Sequence, residues 1–115
     1  MESYLKVLNC LGKEANLRIY RMLTLQRELC VCELEEALRL PQYAVSRALK
    51  NLVDCGLVEK RKQGPWRLYS LKRQADRFLD GLETLCRQNL PDFYSDMRRL
   101  KMKPDLRMKK LKKTL

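Results

Sequence analysis

The side chains best equipped for chemistry are Cys30 and Cys32, one residue apart in the run Glu28-Leu29-Cys30-Val31-Cys32-Glu33-Leu34. As thiolates they are soft donors suited to soft, thiophilic ions, and as neighbouring thiols they are also open to oxidation or to packing. On an ideal helix, residues two apart point about 200° from one another. One ion therefore joins both sulfurs only where the first helical turn is absent or unwinds, and binding is expected to distort the segment. The other cysteines, Cys10, Cys55 and Cys86, sit on or beside apolar stripes, where a free Cys usually packs as a small hydrophobe. An odd set of five without a framework spacing speaks against a disulfide scaffold and for thiols in a reducing compartment. The chain has no His, no Gly-rich phosphate loop and no acid pair in a pocket-forming context, so an enzyme is not expected.

The second chemical signature is a helix expected from about Gln42 to Asp54. Val45, Ala48, Leu49, Leu52 and Val53 fall at i, i+3, i+4, i+7 and i+8, one apolar stripe for the core. The opposite face carries Gln42, Tyr43, Ser46, Arg47 and Lys50, side chains able to meet base edges and phosphates. Ahead of it, Leu34, Ala37 and Leu38 mark a helix over Glu33 to Leu40, stopped by Pro41. Two short helices joined by a tight turn, the second with such a face, form a helix-turn-helix. Cys55-Gly56 then ends the helix, and Leu57 to Lys62 and Trp66 to Leu71 read as strands around Gln63-Gly64-Pro65. A hairpin bearing Lys60, Arg61, Lys62 and Arg67, with Trp66 packed at its base, has the form of a wing lying along a DNA backbone. Base contacts are expected from Gln42, Tyr43, Ser46 and Arg47, and phosphate contacts from Lys50, Arg61, Lys62 and Arg67.

These parts must be carried by the rest of the chain. Leu5, Leu8 and Leu11 form one stripe, and Leu17, Tyr20, Met22 and Leu23 a second, which predicts two helices joined near Gly12. Gln74 to Leu90 resumes helical spacing through Phe78, Leu79, Leu82, Leu85, Cys86 and Leu90, too apolar to stay wet on so small a protein, and reads as a dimerisation helix. The expected class is mainly α with a small β-hairpin: a winged helix-turn-helix dimerising through its terminal helices. Its two recognition helices would address a pseudo-palindromic operator in double-stranded DNA about one helical turn apart. The formal charge of +11 is mostly a tail, because Arg98 to Leu115 hold nine Lys/Arg against one acid. The division is accordingly residues 1–97 for DNA binding and dimerisation and 98–115 for a basic tail. No long apolar run marks a signal peptide or membrane span, so a cytoplasmic location is expected.

The run Glu28 to Leu34 resembles the inducer-binding segment of the ArsR/SmtB family of metal-responsive repressors. Leu11-Gly12-Lys13-Glu14-Ala15-Asn16-Leu17-Arg18-Ile19 is similar to the family's opening motif, and Val45-Ser46-Arg47-Ala48-Leu49 to its recognition helix. Gly56-Leu57-Val58 and Gly64-Pro65-Trp66 are similar to its helix end and wing. Roughly residues 5 to 90 are covered. The resemblance implies a transcriptional repressor that needs no cofactor to bind DNA. It further implies that Cys30 and Cys32 bind trivalent arsenic or antimony, and that the ion releases the operator. Departures are specific. A third cysteine found in some arsenic sensors is here Glu35, a hard oxygen donor, which leaves Cys10, Cys55 and Cys86 as candidates for a third ligand. Cys55 resembles one ligand of a cadmium- and lead-sensing branch, whose companion position holds Asn51. Absence of His argues against the zinc and nickel branches. Pro65 stands where the family often has Arg. The alternatives are a winged-helix repressor that senses cadmium, lead or thiol oxidation, and a basic RNA-associated winged helix.

Overall fold

A computed structural model describes residues 2–88, 96 and 98–100. In chain order the elements are α1 (Glu2–Leu11), α2 (Glu14–Leu25), β1 (Leu29–Cys30), α3 (Val31–Leu38), α4 (Gln42–Asp54), β2 (Val58–Gln63), β3 (Trp66–Leu71) and α5 (Arg77–Cys86). The strands form one antiparallel sheet in the order β1-β3-β2. The expected mainly helical winged helix-turn-helix is present, with one strand more than the hairpin.

Helix α2 is the hub. Ile19, Tyr20, Met22 and Leu23 are buried together with the polar Asn16, Arg21 and Thr24, because α1, α4, α5 and β3 all pack against it. The core stripe of α4 falls where the spacing puts it: Val45, Ala48, Leu49 and Leu52 are buried, while Val53 is half-buried. Pro41 caps α4, its carbonyl accepting from the Ala44 and Val45 amides at 3.0 and 3.2 Å. The other end closes with Gly56 at φ +85°, the Leu57 amide reaching back to Leu52 O at 3.1 Å and the Gly56 amide to Val53 O at 3.1 Å. That pair of bonds satisfies carbonyls the helix leaves open and needs a left-handed residue, which Gly supplies without Cβ strain.

Four differences from the sequence reading have physical causes. First, α1 has two apolar faces: Val7, Cys10 and Leu11 are buried in this chain, whereas Leu5 and Leu8 remain 53% and 48% exposed. The expected Leu5-Leu8-Leu11 stripe is thus split between an inner and an outer face. Second, α3 begins at Val31 rather than Glu33, because the Glu33 carboxylate accepts from the Cys30 amide at 3.0 Å and fixes Cys30 as the helix cap. Third, β2 runs to Gln63, opposite Trp66, so the turn is only Gly64-Pro65 and Trp66 stands at the tip of the wing, not at its base. Fourth, α5 starts at Arg77, held by Asp76, whose carboxylate accepts from the Phe78 and Leu79 amides at 2.8 and 3.2 Å. Gln74 instead donates to Gly56 O at 2.8 Å. Leu90, assigned to the same helix, lies outside the described residues, as does residues 101–115 of the expected tail. Arg99 and Leu100, placed in that tail by the sequence, pack onto the body. Leu100 is buried, and Arg99 donates to Ala37 O at 2.6 Å and to Asp96 Oδ1 at 2.8 Å.

Candidate DNA interface and thiol site

The outer face of α4 presents the residues singled out from sequence. Gln42, Tyr43, Ser46, Arg47 and Lys50 are all exposed, Tyr43 to 69%. On the wing, directly opposed residues of an antiparallel pair share a face. Lys60 opposite Tyr69 and Lys62 opposite Arg67 therefore point one way, and Arg61 opposite Leu68 the other. The side chain of Arg61 is bound by Glu28, its Nε and a terminal nitrogen donating to the two carboxylate oxygens at 2.5 and 2.7 Å. Gln42, Ser46 and Lys50 of α4 face Lys60, Trp66 and Arg67 of the wing across an open cleft of about 640 Å³. Lys60, passed over in choosing phosphate contacts, belongs to this cleft. Its alternation with Lys62 was the signal available in the sequence.

Cys30 and Cys32 open onto the same cleft. Their sulfurs are 2.9 Å apart, both as free thiols, with Cys30 1% and Cys32 7% exposed. The pair meets because Cys30 is not helical. At φ −94° and ψ 167° it is the extended last residue of β1, while Cys32 already sits in the first turn of α3. Of the two ways the sulfurs could meet, an absent or an unwound first turn, the structure has the first: no helical turn separates Cys30 from Cys32. Leu68 and the half-buried Trp66 complete a small apolar cluster around the thiols, separate from the main core. The hydrogen bond with Cys32, and then burial, push the Cys30 thiol well above the usual thiol range.

The remaining cysteines are elsewhere. Cys10 lies in the main core, beside Asn16, whose amide donates to its carbonyl at 2.8 Å and to its sulfur at 3.5 Å. Burial and a hydrogen bond with Cys55 push the Cys10 thiol up to about 12. Cys86 is raised by burial on α5. Among the described residues, no group of three or more Cys, His, Asp or Glu side chains forms that could hold a metal, so Cys30 and Cys32 supply two soft donors without a third. Glu35 lines the cleft nearby.

An exposed, polar helix face set beside a basic two-stranded wing defines a winged helix-turn-helix regulator of the DNA-binding class. Known proteins agree. The family model described as "Bacterial regulatory protein, arsR family" matches residues 14–60. The chain is 32% identical over 88 residues to the arsenical resistance operon repressor of Bacillus subtilis, covering 75% of this chain and 81% of that protein. It is 34% identical over 76 residues to the arsenic resistance transcriptional regulator ArsR1 of Pseudomonas putida, covering 66% of this chain and 59% of that one. Among solved structures, reduced HlyU from Vibrio cholerae aligns with a TM-score of 0.63 and 32% identity over 73% of this chain and 84% of its own. The chain belongs to the ArsR family of bacterial regulatory proteins. Its relatives are transcriptional regulators and not enzymes. No helix among the described residues is long and apolar enough to cross a membrane.

Proposed function

We propose that the protein is a homodimeric cytoplasmic repressor that binds a pseudo-palindromic operator and leaves it when trivalent arsenic or antimony joins Cys30 to Cys32. The observation that carries the reading is the pair of buried sulfurs 2.9 Å apart at the edge of the cleft between α4 and the wing. Arsenous acid suits such a pair. As(OH)3 condenses with two thiols to give a bis-thiolate As–OH and two waters, each thiol proton leaving with one hydroxide. Two As–S bonds form, two As–O bonds break and no electrons are transferred. The retained hydroxide fills the third position, so a third cysteine is not required. A Cys30 thiol held protonated can react in this way, whereas a divalent cation bound by two thiolates releases their protons into solution.

Dimerisation is supported by the outer face of α1 and α5. Tyr4, Leu5, Leu8 and Leu85 are 37%, 53%, 48% and 58% exposed. The two helices are tied side by side by the Tyr4 hydroxyl donating to Asp76 at 3.1 Å and by ring contact of Tyr4 with Phe78 at 4.6 Å. Pairing two copies over this face would set the recognition helices about 34 Å apart, one turn of duplex. Gln42, Tyr43, Ser46 and Arg47 then read bases while Lys50, Lys62 and Arg67 hold phosphates. Arg61 joins them only by exchanging Glu28 for a phosphate.

The test is titration of arsenite, antimonite, cadmium and lead into the reduced protein on an operator duplex selected from random sequence. Arsenite and antimonite should lower operator affinity by about 5- to 150-fold, the usual span of an allosteric coupling, and Cys30→Ser with Cys32→Ser should abolish the effect. Release of that double variant by arsenite would overturn the proposal. Release by peroxide alone would favour thiol oxidation, and preference for RNA over every duplex would favour the RNA-associated reading.

A further inference from the structure

Two routes lead from the thiol pair to DNA. One runs down α3 into α4. The residues on it are packed tight: Leu34 and Ala37 are fully buried and belong to the main core. The other runs into the wing, and there the thiols are attached directly. Cys30 is paired with Leu68 of β3 in the sheet, next to Leu29 with Tyr69. Glu28, just before β1, holds Arg61 of β2. The apolar residues packed with both cysteines, at the edge of the cleft, are wing residues, Leu68 and Trp66.

We infer that inducer occupancy reaches DNA through the wing, with Trp66 as the positioning residue that couples them. This rests on the reading of Cys30 and Cys32 as the inducer site. The ion's own volume must be taken up by the residues packed against the two sulfurs, Leu68 and Trp66. A close-packed core resists such expansion. Trp66 does not: it is half-buried and stands beside the two-residue turn at the wing tip. Displacing it displaces Arg67, its chain neighbour, and Lys62, opposite Arg67, the cations proposed above to hold operator phosphates.

Trp66 is the single tryptophan, so its emission reports the site directly. In the reduced full-length protein, arsenite should change Trp66 emission in parallel with loss of two titratable thiols, and should do neither in Cys30→Ser with Cys32→Ser. In Trp66→Ala, arsenite should still block two thiols, while the arsenite-induced loss of operator affinity should shrink from about tenfold or more to less than twofold. Trp66→Phe, which restores an aromatic cover, should restore release. If Trp66→Ala blocks two thiols yet leaves the operator like the wild type, the wing route is overturned and the proposed function stands. If arsenite blocks no thiol pair in the wild-type protein, the inducer-site reading fails and this inference fails with it. Should Trp66→Ala not fold, the wild-type emission decides: two thiols blocked with unchanged Trp66 emission overturns the inference.

Discussion

The proton balance of the thiol pair distinguishes its proposed inducer from a divalent cation, and pH is the perturbation that exposes it. The hydrogen bond with Cys32 and burial raise the Cys30 thiol, so it remains protonated between pH 6 and 8. A raised thiol pKa makes the neutral form the resting one throughout this window. Any ligand that needs free thiolates gains affinity as pH rises. For Cd(II), two protons are released, and apparent affinity should climb about tenfold per proton per pH unit, or about 100-fold per unit. Over two units that amounts to about 10⁴. Arsenous acid, itself neutral here, carries both protons away as water, and its affinity should be flat to within about threefold across the window. Calorimetric titration in buffers of different ionisation enthalpy measures affinity and proton release together. Arsenite affinity that rises tenfold or more per pH unit, with protons appearing in the buffer, would refute the condensation argument.

Leu8→Glu combined with Leu85→Glu should convert the dimer to monomers in sedimentation and weaken operator binding. Because both positions are exposed in the single chain, at 48% and 58%, the fold itself should change by only about 0.5 kcal/mol or less; a persistent dimer would relocate the interface. Arg47→Ala should cost about 1–3 kcal/mol concentrated at one base position, whereas Lys62→Ala should weaken all sequences alike and reduce the salt slope by about 1. Arg61→Ala, which removes a side chain engaged by Glu28, should weaken operator binding less than Lys62→Ala when both are measured by filter binding. Asp96→Asn should destabilise the protein. Its carboxylate is 2% exposed and accepts from Arg18 at 2.9 and 2.7 Å and from Arg99 at 2.8 Å. Breaking a buried pair costs about 3–5 kcal/mol. The guanidinium side chains are 19% and 24% exposed, and solvent screening reduces the cost to about 2–3 kcal/mol. The melting temperature should then fall by about 8–12 °C, and a drop under 2 °C would show that the latch carries little.

What the sequence made legible is local. The bounds of α4 follow from Pro41 and Cys55-Gly56, punctuation written within a few residues of the ends it sets, and the polar face opposite Val45, Ala48 and Leu49 follows from the helical period. The strands of the hairpin follow from alternation and the Gly64 turn. What stayed hidden depends on contacts between distant residues. β1 has only two residues, too few to alternate, and is a strand because Leu29 and Cys30 meet Tyr69 and Leu68. Asp96 meets Arg18 across 78 positions, a partnership without a periodicity to announce it. The outer face of α1 was readable as apolar, but which face the chain covers itself is decided by how α2 and α5 pack.

The thiol pair shows how such a hidden contact alters mechanism. Cys is not among the usual helix caps, and the helix expected from Glu33 begins at Val31, capped by Cys30 whose amide donates to the Glu33 carboxylate. Two cysteines within a helix would point apart, so one ion could join them only where the first turn is absent or unwinds. With Cys30 extended by its pairing to β3, the sulfurs meet at rest and an ion has only to add its own volume beside them. Work done on unwinding would be spent inside α3. Room for the ion is taken from whatever packs on the sulfurs, and Leu68 and Trp66, which do so, belong to the strand that carries Arg67 into the cleft beside α4.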